Sequence, residues 1–524
     1  MTHRVRTYRL GHLLAAASVA ATFGNSPSAQ APTPAPPAAS RVDPYVARPR
    51  VLVLTDIANE PDDQMSLVRF LVYANRFDVE GLVATTSTWL KTRVRPDVLH
   101  AVVDAYAQAQ PALERHEQGF PTADLLRARI AAGQPGYGMA AVGAGKSSAG
   151  SAALLAAARR QDPRPLWISV WGGANTLAQA LLDAREQLPA GDLEALVARL
   201  RVYTISDQDD AGAWLRREFP RLHYVASPST QNGEEYASAT WTGISGDRFY
   251  RNAPGADFTT FTDGWVDANI RGRVPLGRMY PYPCCIHEGD TPAFLGLIDN
   301  GLASAMSPAY GGWGGRYMWR QPSGEPRAFW TQGGDAYPGR DASRDTVTGA
   351  DGQSYTSDQA TIWRWRTAFQ HDFAARMAWT VMAPEAANHN PLVVVNGLAG
   401  RAPIEVQARV GTAVTLDAAG TRDPDGHALS YRWWFYPEAG TGIPGQPVVA
   451  PGERRPSPPH AQAESPPAAR GVREAPRVRV EDATSPRATV MPLVAGIAHV
   501  VLEVTDDGTP RLTSYRRVVM TIRP

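Results

Sequence analysis

Short apolar segments alternate with amphipathic helical segments between residues 50 and 385, and this alternation restricts the fold more than any other feature. VLVLT at Val51–Thr55 has the continuous apolar character of a strand buried on both faces. The segment that follows, Asp63–Asn75, spaces its apolar residues as a helix does. Further strand-like segments lie at Val79–Ser87, Pro165–Gly173, Arg201–Ser206 and Arg221–Ser227. The pattern predicts the α/β class, with a mostly parallel sheet, helices on both faces, and ligands at the carboxyl ends of the strands.

A different pattern begins at Pro391, where helical spacing ends and turn-rich β segments follow. The segments Gly411–Tyr436 and His499–Pro524 each favour two strands around a turn. Between them, residues 438–486 are rich in proline, glycine and arginine, which predicts a disordered loop. We therefore expect an α/β domain at residues 49–390 and an all-β immunoglobulin-like sandwich at residues 391–524.

Residues 1–31 carry the pattern of a secretory signal peptide. Three arginines precede an apolar stretch, Leu10–Phe23, that is too short to span a bilayer, and Ala29–Ala31 fits a cleavage site. Residues 32–48 follow as a Pro/Ala-rich linker. No later segment has the apolar length of a membrane span, so the sequence predicts a secreted protein, periplasmic or extracellular.

Charge and cysteine content exclude several classes of protein. Lysine and arginine total 52 and aspartate and glutamate total 51, a balance that argues against nucleic acid as a partner. Two cysteines are too few for a disulfide framework or a cysteine-rich zinc module. Because Cys284 and Cys285 are neighbours, a bond between them would be strained, and two free thiols are the simpler expectation.

Four carboxylates fall within eight positions directly after the first predicted strand: Asp56, Glu60, Asp62 and Asp63. Like charges at this density repel one another unless a cation neutralises them. Oxygen ligands alone suit a hard divalent ion such as calcium or magnesium. Capping of the following helix would explain Asp62 and Asp63, but not all four acids. The turn therefore predicts a metal site at the carboxyl edge of the sheet.

This strand–D-x-x-x-x-x-D-D–helix pattern resembles the nucleoside hydrolases. Two later segments carry the same resemblance. WGGANTLA at Trp171–Ala178 is similar to the family's glycine-to-asparagine turn, and HEGDTP at His287–Pro292 is similar to the segment with its late aspartate. The TDIANEPDDQMS turn and the C-terminal sandwich together resemble, more closely, a group of secreted bacterial nucleoside-hydrolase-like proteins described as cellulose-binding.

The resemblance implies a role for each matching residue in binding calcium or sugar. Asp63 would be the strongest calcium ligand, Asp56 would support it, Asn175 would offer its main-chain carbonyl, and Asp290 would complete the shell. Asp62 would bind vicinal sugar hydroxyls. In this chemistry a carboxylate takes the proton of a water oriented by the metal, and the glycosyl bond breaks through an oxocarbenium-like state.

The chain departs from the family at Ala58, where the second acid of the turn should bind metal and act as general base. A methyl group can do neither. Asn59 or Glu60 on the same turn could replace it, so Asp56, Glu60 and Asp62 are the candidate catalytic residues.

Three further residues are assigned to substrate binding beside Asp62 and Asn175. Trp89 stands near the place of a family asparagine and would stack against the sugar or narrow its site. Trp313, in the glycine-aromatic loop Tyr310–Trp319, would stack on carbohydrate, with a purely structural loop as the alternative. His287 would tune the site, unless it is only a hydrogen-bonded neighbour of the helix start.

Two acidic segments remain open to a structural or a functional interpretation. Ser206–Asp210 would either line the pocket or form a solvated loop. Asp423 and Asp425 would make a turn, with a minor calcium site as the alternative.

These features favour a secreted, calcium-dependent hydrolase of glycosyl bonds that acts on a glycan-derived furanose or related sugar. The alternative is a carbohydrate-binding (cellulose-binding) protein of the same fold without catalysis, which Ala58 would allow. An adhesion or scaffold protein is a third class, but it leaves the acidic turn unexplained. The sequence does not determine the oligomeric state.

Overall fold

A computed structural model gives the fold of residues 42–227, 239–245, 255–322, 324–332, 343–441 and 477–524. The predicted signal peptide, the first part of the predicted linker and residues 442–476 of the predicted loop lie outside the described residues. Among the helices that are described, none combines the length and the apolar character needed to cross a membrane.

Strands from the first part of the chain form one mostly parallel sheet, as predicted. They are β1 (Arg50–Thr55), β2 (Asp78–Ala84), β3 (Ile130–Ala132), β4 (Leu166–Val170), β5 (Leu200–Thr204), β6 (His223–Ala226), β7 (Met318–Arg320) and β8 (Phe329–Thr331). Their order is β3-β2-β1-β4-β5-β6-β8-β7, and β7 runs antiparallel to β8. The chain moves outward from β1 to β3 and then returns to β4 on the other side of β1. This reversal makes the β1/β4 boundary the topological switch point, where open α/β sheets bind ligands.

Helices pack on both faces of the sheet because β1 is apolar on both sides. Val51 and Val53 belong to the core on the face of α1 and α2, whereas Leu52 and Leu54 belong to the core on the face of α4 and α5. The helices are α1 (Asp62–Val72), α2 (Pro96–His116), α3 (Ala123–Arg127), α4 (Ala149–Arg159), α5 (Asn175–Gln187), α6 (Ala190–Ala198), α7 (Ala211–Glu218), α8 (Asp263–Val266), α9 (Pro292–Leu295), α10 (Ala360–Trp363) and α11 (Arg366–Trp379). Burial of both faces explains the continuous apolar character of β1 in the sequence.

The C-terminal part is a sandwich of two sheets, as predicted. The order is β13-β19-β18-β15 in one sheet and β14-β17-β16 in the other. Four short strands form two hairpins before it: β9 (Asp345–Thr348), β10 (Ser354–Ser357), β11 (Val394–Val395) and β12 (Leu398–Ala399). The sandwich strands are β13 (Ile404–Arg409), β14 (Val414–Asp417), β15 (Leu429–Phe435), β16 (Val478–Glu481), β17 (Arg487–Pro492), β18 (Gly496–Asp506) and β19 (Thr513–Arg523). The boundary between domains near residue 390 stays a prediction.

The prediction of a loop over residues 438–486 is wrong in its C-terminal part. Val478–Glu481 is strand β16, and it pairs with β17 in the three-stranded sheet. Four residues of alternating burial give too weak a pattern beside a proline-rich stretch to be recognised as a strand from sequence.

Candidate active site

Three carboxylates converge at the carboxyl end of β1. Asp62 and Asp63 begin α1, Asp290 lies on the turn before α9, and each offers an oxygen within 4.8 Å of the others. The Thr55 hydroxyl at the end of β1 donates a hydrogen bond to Asp63. Asp290 Oδ2 is buried and has no hydrogen-bond partner among the described residues. This donor set of carboxylate oxygens, one of them unsatisfied, fits a hard divalent cation such as calcium.

Asp56 borders this group at the switch point between β1 and β4. Its Oδ2 accepts a hydrogen bond of 2.5 Å from the Ser87 hydroxyl, which follows β2. A side chain at Gly172, after β4, would place its Cβ 2.5 Å from Asp56 Oδ1, so only glycine fits there. Three neighbouring strands thus place their carboxyl-end loops around Asp56.

The carboxyl groups of the cluster have raised pKa values because they are buried together. Burial and, after it, the charge of Glu60 raise the pKa of Asp56 to about 7 and that of Asp62 to about 8. The pKa values of Asp63 and Asp290 lie well above their ordinary range, first through burial and then through the neighbouring carboxylates. A cluster of this kind holds protons near neutral pH unless a cation replaces them.

Ala58 and Glu60 lie on the turn between β1 and α1. Ala58 has a φ of +82°, in the left-handed region, and its methyl group leaves the position without a carboxylate. Glu60 is half-buried, and its Oε2 accepts a 2.5 Å hydrogen bond from the side-chain amide of Asn59. Burial raises the pKa of Glu60, and its charge in turn raises the pKa of Asp63 and that of Asp290. Glu60 therefore belongs to the cluster electrostatically and also reaches solvent.

A buried ion pair, not recognised in the sequence, positions the turn that carries Asp290. Arg69 in α1 lies with its Nε 2.5 Å from Glu288 Oε2, and both side chains are fully buried. Glu288 also accepts hydrogen bonds from the hydroxyls of Tyr280 (2.7 Å) and Thr291 (2.9 Å). An arginine inside the apolar stretch of α1 is the signal in the sequence that could have revealed it.

Gly289 brings the Asp290 turn against Asp62. A Cβ at Gly289 would lie 2.6 Å from Asp62 Oδ2, so the close approach of turn and carboxylate requires glycine. His287 is buried, its ring centroid is 5.4 Å from that of Phe261, and burial lowers its pKa to about 4. The histidine is therefore neutral near pH 7. Its assignment to substrate binding stays a prediction.

Asn175 begins α5 and contacts a different set of groups. Its main-chain amide donates to Asp209 Oδ2 (3.0 Å), and its side-chain amide donates to the Gly136 carbonyl (2.8 Å) and the Thr86 hydroxyl (3.2 Å). Its Oδ1 is buried and has no hydrogen-bond partner among the described residues. The main-chain carbonyl of Asn175 as a calcium ligand stays a prediction.

The segment Ser206–Asp210 is not solvated at Asp209. Asp209 is buried, and the main-chain amides of Asn175 and Ala211 each donate to it at 3.0 Å. Burial raises the pKa of Asp209 to about 7. A Cβ at Gly173 would lie 2.5 Å from its Oδ2, so Asp209 packs against the turn after β4.

The two tryptophans predicted to bind substrate lie in different surroundings. Trp89 is 41% exposed, and its main-chain amide donates to the Ser87 hydroxyl that is bonded to Asp56. Trp313 is 1% exposed and packs between Phe369 and Tyr515, with ring centroids 6.3 Å from each. A buried ring offers no face to a sugar, so the role predicted for Trp313 is corrected to a structural one.

Cys284 and Cys285 are free cysteines. Burial, the Cys284 thiol and the charges of Glu60 and Asp62 together raise the pKa of Cys285 to about 12.

Comparisons with known proteins agree with this fold. The profile of a family described as "Cellulose-binding Sde182, nucleoside hydrolase-like domain" matches residues 50–317, and "Cellulose-binding protein Sde0182, C-terminal domain" matches residues 413–522. A solved structure of a nucleoside hydrolase-related hypothetical protein from Saccharophagus degradans, associated with carbohydrate metabolism, is 34% identical. The match covers 91% of this chain and 100% of that one, with a TM-score of 0.70.

Two other solved structures are more distant. The PKD domain from the KIAA 1837 protein is 18% identical over 24% of this chain and 94% of that one, with a TM-score of 0.13. The type III effector XopQ, complexed with adenosine diphosphate ribose, is 14% identical over 65% of this chain and 96% of that one, with a TM-score of 0.29. No curated protein matches the chain.

The family assignment rests on the profile matches and on the solved relative. One profile spans more than half of the chain, the other spans most of the sandwich, and the structure from Saccharophagus degradans matches across both. The chain belongs to the Sde182 family of cellulose-binding proteins, with a nucleoside hydrolase-like domain followed by the family's C-terminal domain.

Proposed function

We propose that the protein is a calcium-dependent hydrolase of glycosyl bonds that acts on a glycan-derived furanose or related sugar. The observation that carries this proposal is the convergence of Asp62, Asp63 and Asp290 at the switch point of the sheet, with one buried carboxylate oxygen unsatisfied. The nucleoside hydrolase-like family and a relative associated with carbohydrate metabolism support it.

Asp63 and Asp290 would hold the cation, with Asp56 beside them and the carbonyl of Asn175 as a further ligand. When bound, calcium would neutralise these carboxylates and polarise a water and the sugar hydroxyls. Asp62 is less buried than Asp63 and would accept hydrogen bonds from vicinal hydroxyls.

Glu60 is the candidate general base. It is half-buried on the turn beside the cluster, and burial raises its pKa toward the range in which a carboxylate takes protons effectively near neutral pH. Trp89 would offer its exposed indole to the face of the sugar.

A second candidate function is carbohydrate binding without catalysis. Ala58 favours it, because the turn lacks the acid that the nucleoside hydrolases use as ligand and base. The family's description as cellulose-binding agrees with this alternative. Both functions use the same carboxylate cluster and the same class of ligand.

We also propose that the protein is exported. The arginine-rich start, the short apolar stretch and the Ala29–Ala31 site support removal of residues 1–31 during secretion. Export would bring the protein to extracellular glycans and to a calcium-rich environment.

The two functions can be separated by measuring product release and cellulose binding on the same preparations. The protein is incubated with p-nitrophenyl furanosides, nucleosides and oligosaccharides, with calcium or with a chelator. Asp63→Asn is the test variant, and Asp124→Asn, an exposed acid in α3, is the matched control. Turnover that chelation and Asp63→Asn both abolish, and Asp124→Asn retains, supports the hydrolase. Cellulose binding without turnover on any substrate supports the binding protein instead.

A further inference from the structure

We propose a second cation site in the sandwich, formed by Asp423, Asp425 and His427 and selective for a divalent first-row metal of the zinc class. These residues lie in the D-P-D-G-H turn before β15. Each offers one ligand atom, and the three atoms lie within 4.8 Å of one another. The site is separate in sequence and in composition from the carboxylate cluster at the end of β1.

The unsatisfied oxygen of Asp423 points to a ligand. The Asp423 side chain is 1% exposed, and its Oδ1 accepts from the main-chain amides of Asp425 (2.9 Å) and His427 (3.0 Å). Its Oδ2 is buried and has no hydrogen-bond partner among the described residues. The main-chain amides of the turn satisfy Oδ1 of this carboxylate and leave Oδ2 without a hydrogen bond from the described residues. Burial of an unsatisfied polar atom costs free energy.

His427 supplies the nitrogen that determines the choice of metal. Its Nδ1 is buried without a hydrogen-bond partner among the described residues and lies 3.5 Å from Asp423 Oδ1. Calcium and magnesium take oxygen ligands, whereas imidazole suits zinc and its first-row neighbours. Two carboxylates with one imidazole therefore favour Zn²⁺ over Ca²⁺.

A further buried carboxylate increases the negative charge near this site. Asp506, at the end of β18, is buried, and burial and the charge of Asp423 raise its pKa. Its Oδ1 accepts from the main-chain amides of Gly508 (3.0 Å) and Leu512 (2.9 Å). Asp506 is thus already held by the backbone, and it would stabilise a cation through its charge.

The proposed site also contacts the end of the α/β part of the chain. Asp425 Oδ2 accepts from the main-chain amide of His389 (2.7 Å), and Asp425 Oδ1 lies 3.0 Å from His389 Nδ1. The His389 ring stacks on Trp379, the last residue of α11, at 5.1 Å. A cation bound by Asp425 would stiffen this junction between helix α11 and the sandwich.

The test is Zn²⁺ binding to the full chain in an Asp63→Asn background, which removes the carboxylate that anchors the first site. Isothermal titration and metal analysis after dialysis should give one bound Zn²⁺. Asp423→Asn should abolish it, and His427→Gln should weaken it about tenfold or more. Asp507→Asn is the matched control: Asp507 accepts from the Ala428 amide (2.9 Å) and is not one of the three proposed ligands, so this variant should leave the affinity unchanged.

Three outcomes would overturn the proposal: no bound Zn²⁺, equal affinity in His427→Gln, or displacement of Zn²⁺ by a modest excess of Ca²⁺. His427 is half-exposed, so His427→Gln should fold even if Asp423→Asn does not, and circular dichroism checks both. None of these readouts depends on hydrolysis, so the result is independent of the function proposed for the first site.

Discussion

At the scale of single residues, the acidic turn brings together carboxylates that repel one another. It has Ala58 where the nucleoside hydrolases that it resembles carry a further acid. α1 and the ends of neighbouring strands hold Asp56, Asp62 and Asp63, whereas Ala58 brings no carboxylate to the turn. The proposed hydrolysis requires Glu60 to take the place of that missing acid. Substitutions at the turn test this directly.

Ala58→Asp should raise metal affinity and raise hydrolysis of nucleosides or furanosides above the wild-type level. Aspartate tolerates the left-handed conformation that Ala58 adopts, so the backbone need not change. Ala58→Asn is the matched control, because it has nearly the same shape and no charge. Equal calcium affinity and equal turnover in the two variants would show that this position has no role in metal binding or catalysis.

Without metal, the protein should lose stability as the pH rises from about 6.5 to about 8. The pKa values of Asp56 and Asp62, about 7 and about 8 in the folded protein, lie far above the unfolded value of 3.8. The folded state therefore binds more protons above about pH 4. The stabilisation that this gives decreases progressively as the pH rises, and its last part is lost as the pH passes the folded pKa values. The pKa of His287 is lowered to about 4, so the stability that it contributes decreases as the pH falls below about 6.5 and does not change above that pH.

The measurement is the melting temperature across this pH range, with a chelator or with excess calcium. With chelator, we expect the melting temperature to decrease as the pH rises. With calcium the decrease should be much smaller, and in Asp63→Asn with chelator the slope of melting temperature against pH should be reduced. A melting temperature that rises with pH in the chelated wild-type protein would contradict the carboxylate cluster as the source.

At the scale of elements, helix α1 and the Asp290 turn form one unit through Arg69 and Glu288. Both side chains are fully buried, and the two residues lie 219 positions apart in the sequence. The pair would act on the proposed metal site indirectly, because it fixes the turn on which Asp290 lies. Its removal should affect stability and metal affinity together.

Glu288→Gln should destabilise the protein by about 3–5 kcal/mol, because Arg69 then keeps a buried positive charge without the carboxylate that neutralises it. Calcium affinity should fall as well. Arg127→Gln, which breaks an exposed ion pair with Asp104 and Asp124, is the control and should leave the stability nearly unchanged, because solvent screens that pair. Denaturant unfolding and calcium titration check both, and unchanged calcium affinity in a destabilised Glu288→Gln protein would argue against the positioning role.

The elements differ in how well the sequence predicts them. β1, β2, β4, β5 and β6 have apolar runs long enough to recognise, and all five were predicted. β3, β7 and β8 have three residues each, which is too short for any period to show. Family resemblance predicted a metal site of Asp56, Asp63, Asn175 and Asp290, whereas the structure groups Asp63 and Asp290 with Asp62. The Arg69–Glu288 pair depends on tertiary packing that no local pattern encodes.

At the scale of the whole molecule, aromatic and charged side chains bind the α/β part to the sandwich. Trp433 and Trp434 are neighbours on β15 and point to opposite sides: Trp433 is buried between the sheets, and Trp434 packs on Trp365, 5.9 Å away. Tyr436 donates a 2.5 Å hydrogen bond to Asp345, which also pairs with arginines of the α/β part. The sandwich is therefore packed against the α/β part and not merely tethered to it.

Trp313 and Trp89 give the contrast that tests this view of the molecule. Trp313→Ala removes a buried ring that contacts Tyr515 of β19, so it should destabilise the protein by about 3–5 kcal/mol and leave sugar affinity unchanged. Trp89→Ala removes an exposed ring two residues after Ser87, which bonds Asp56, so it should leave the melting temperature nearly unchanged and weaken sugar binding by up to about tenfold. Each variant is the control for the other, measured by thermal unfolding and by binding to cellulose and soluble oligosaccharides. If Trp313→Ala instead kept its stability and lost sugar affinity, the glycine-aromatic loop would have to open to the ligand, and the packing of the two parts would be looser than the contact with Tyr515 indicates.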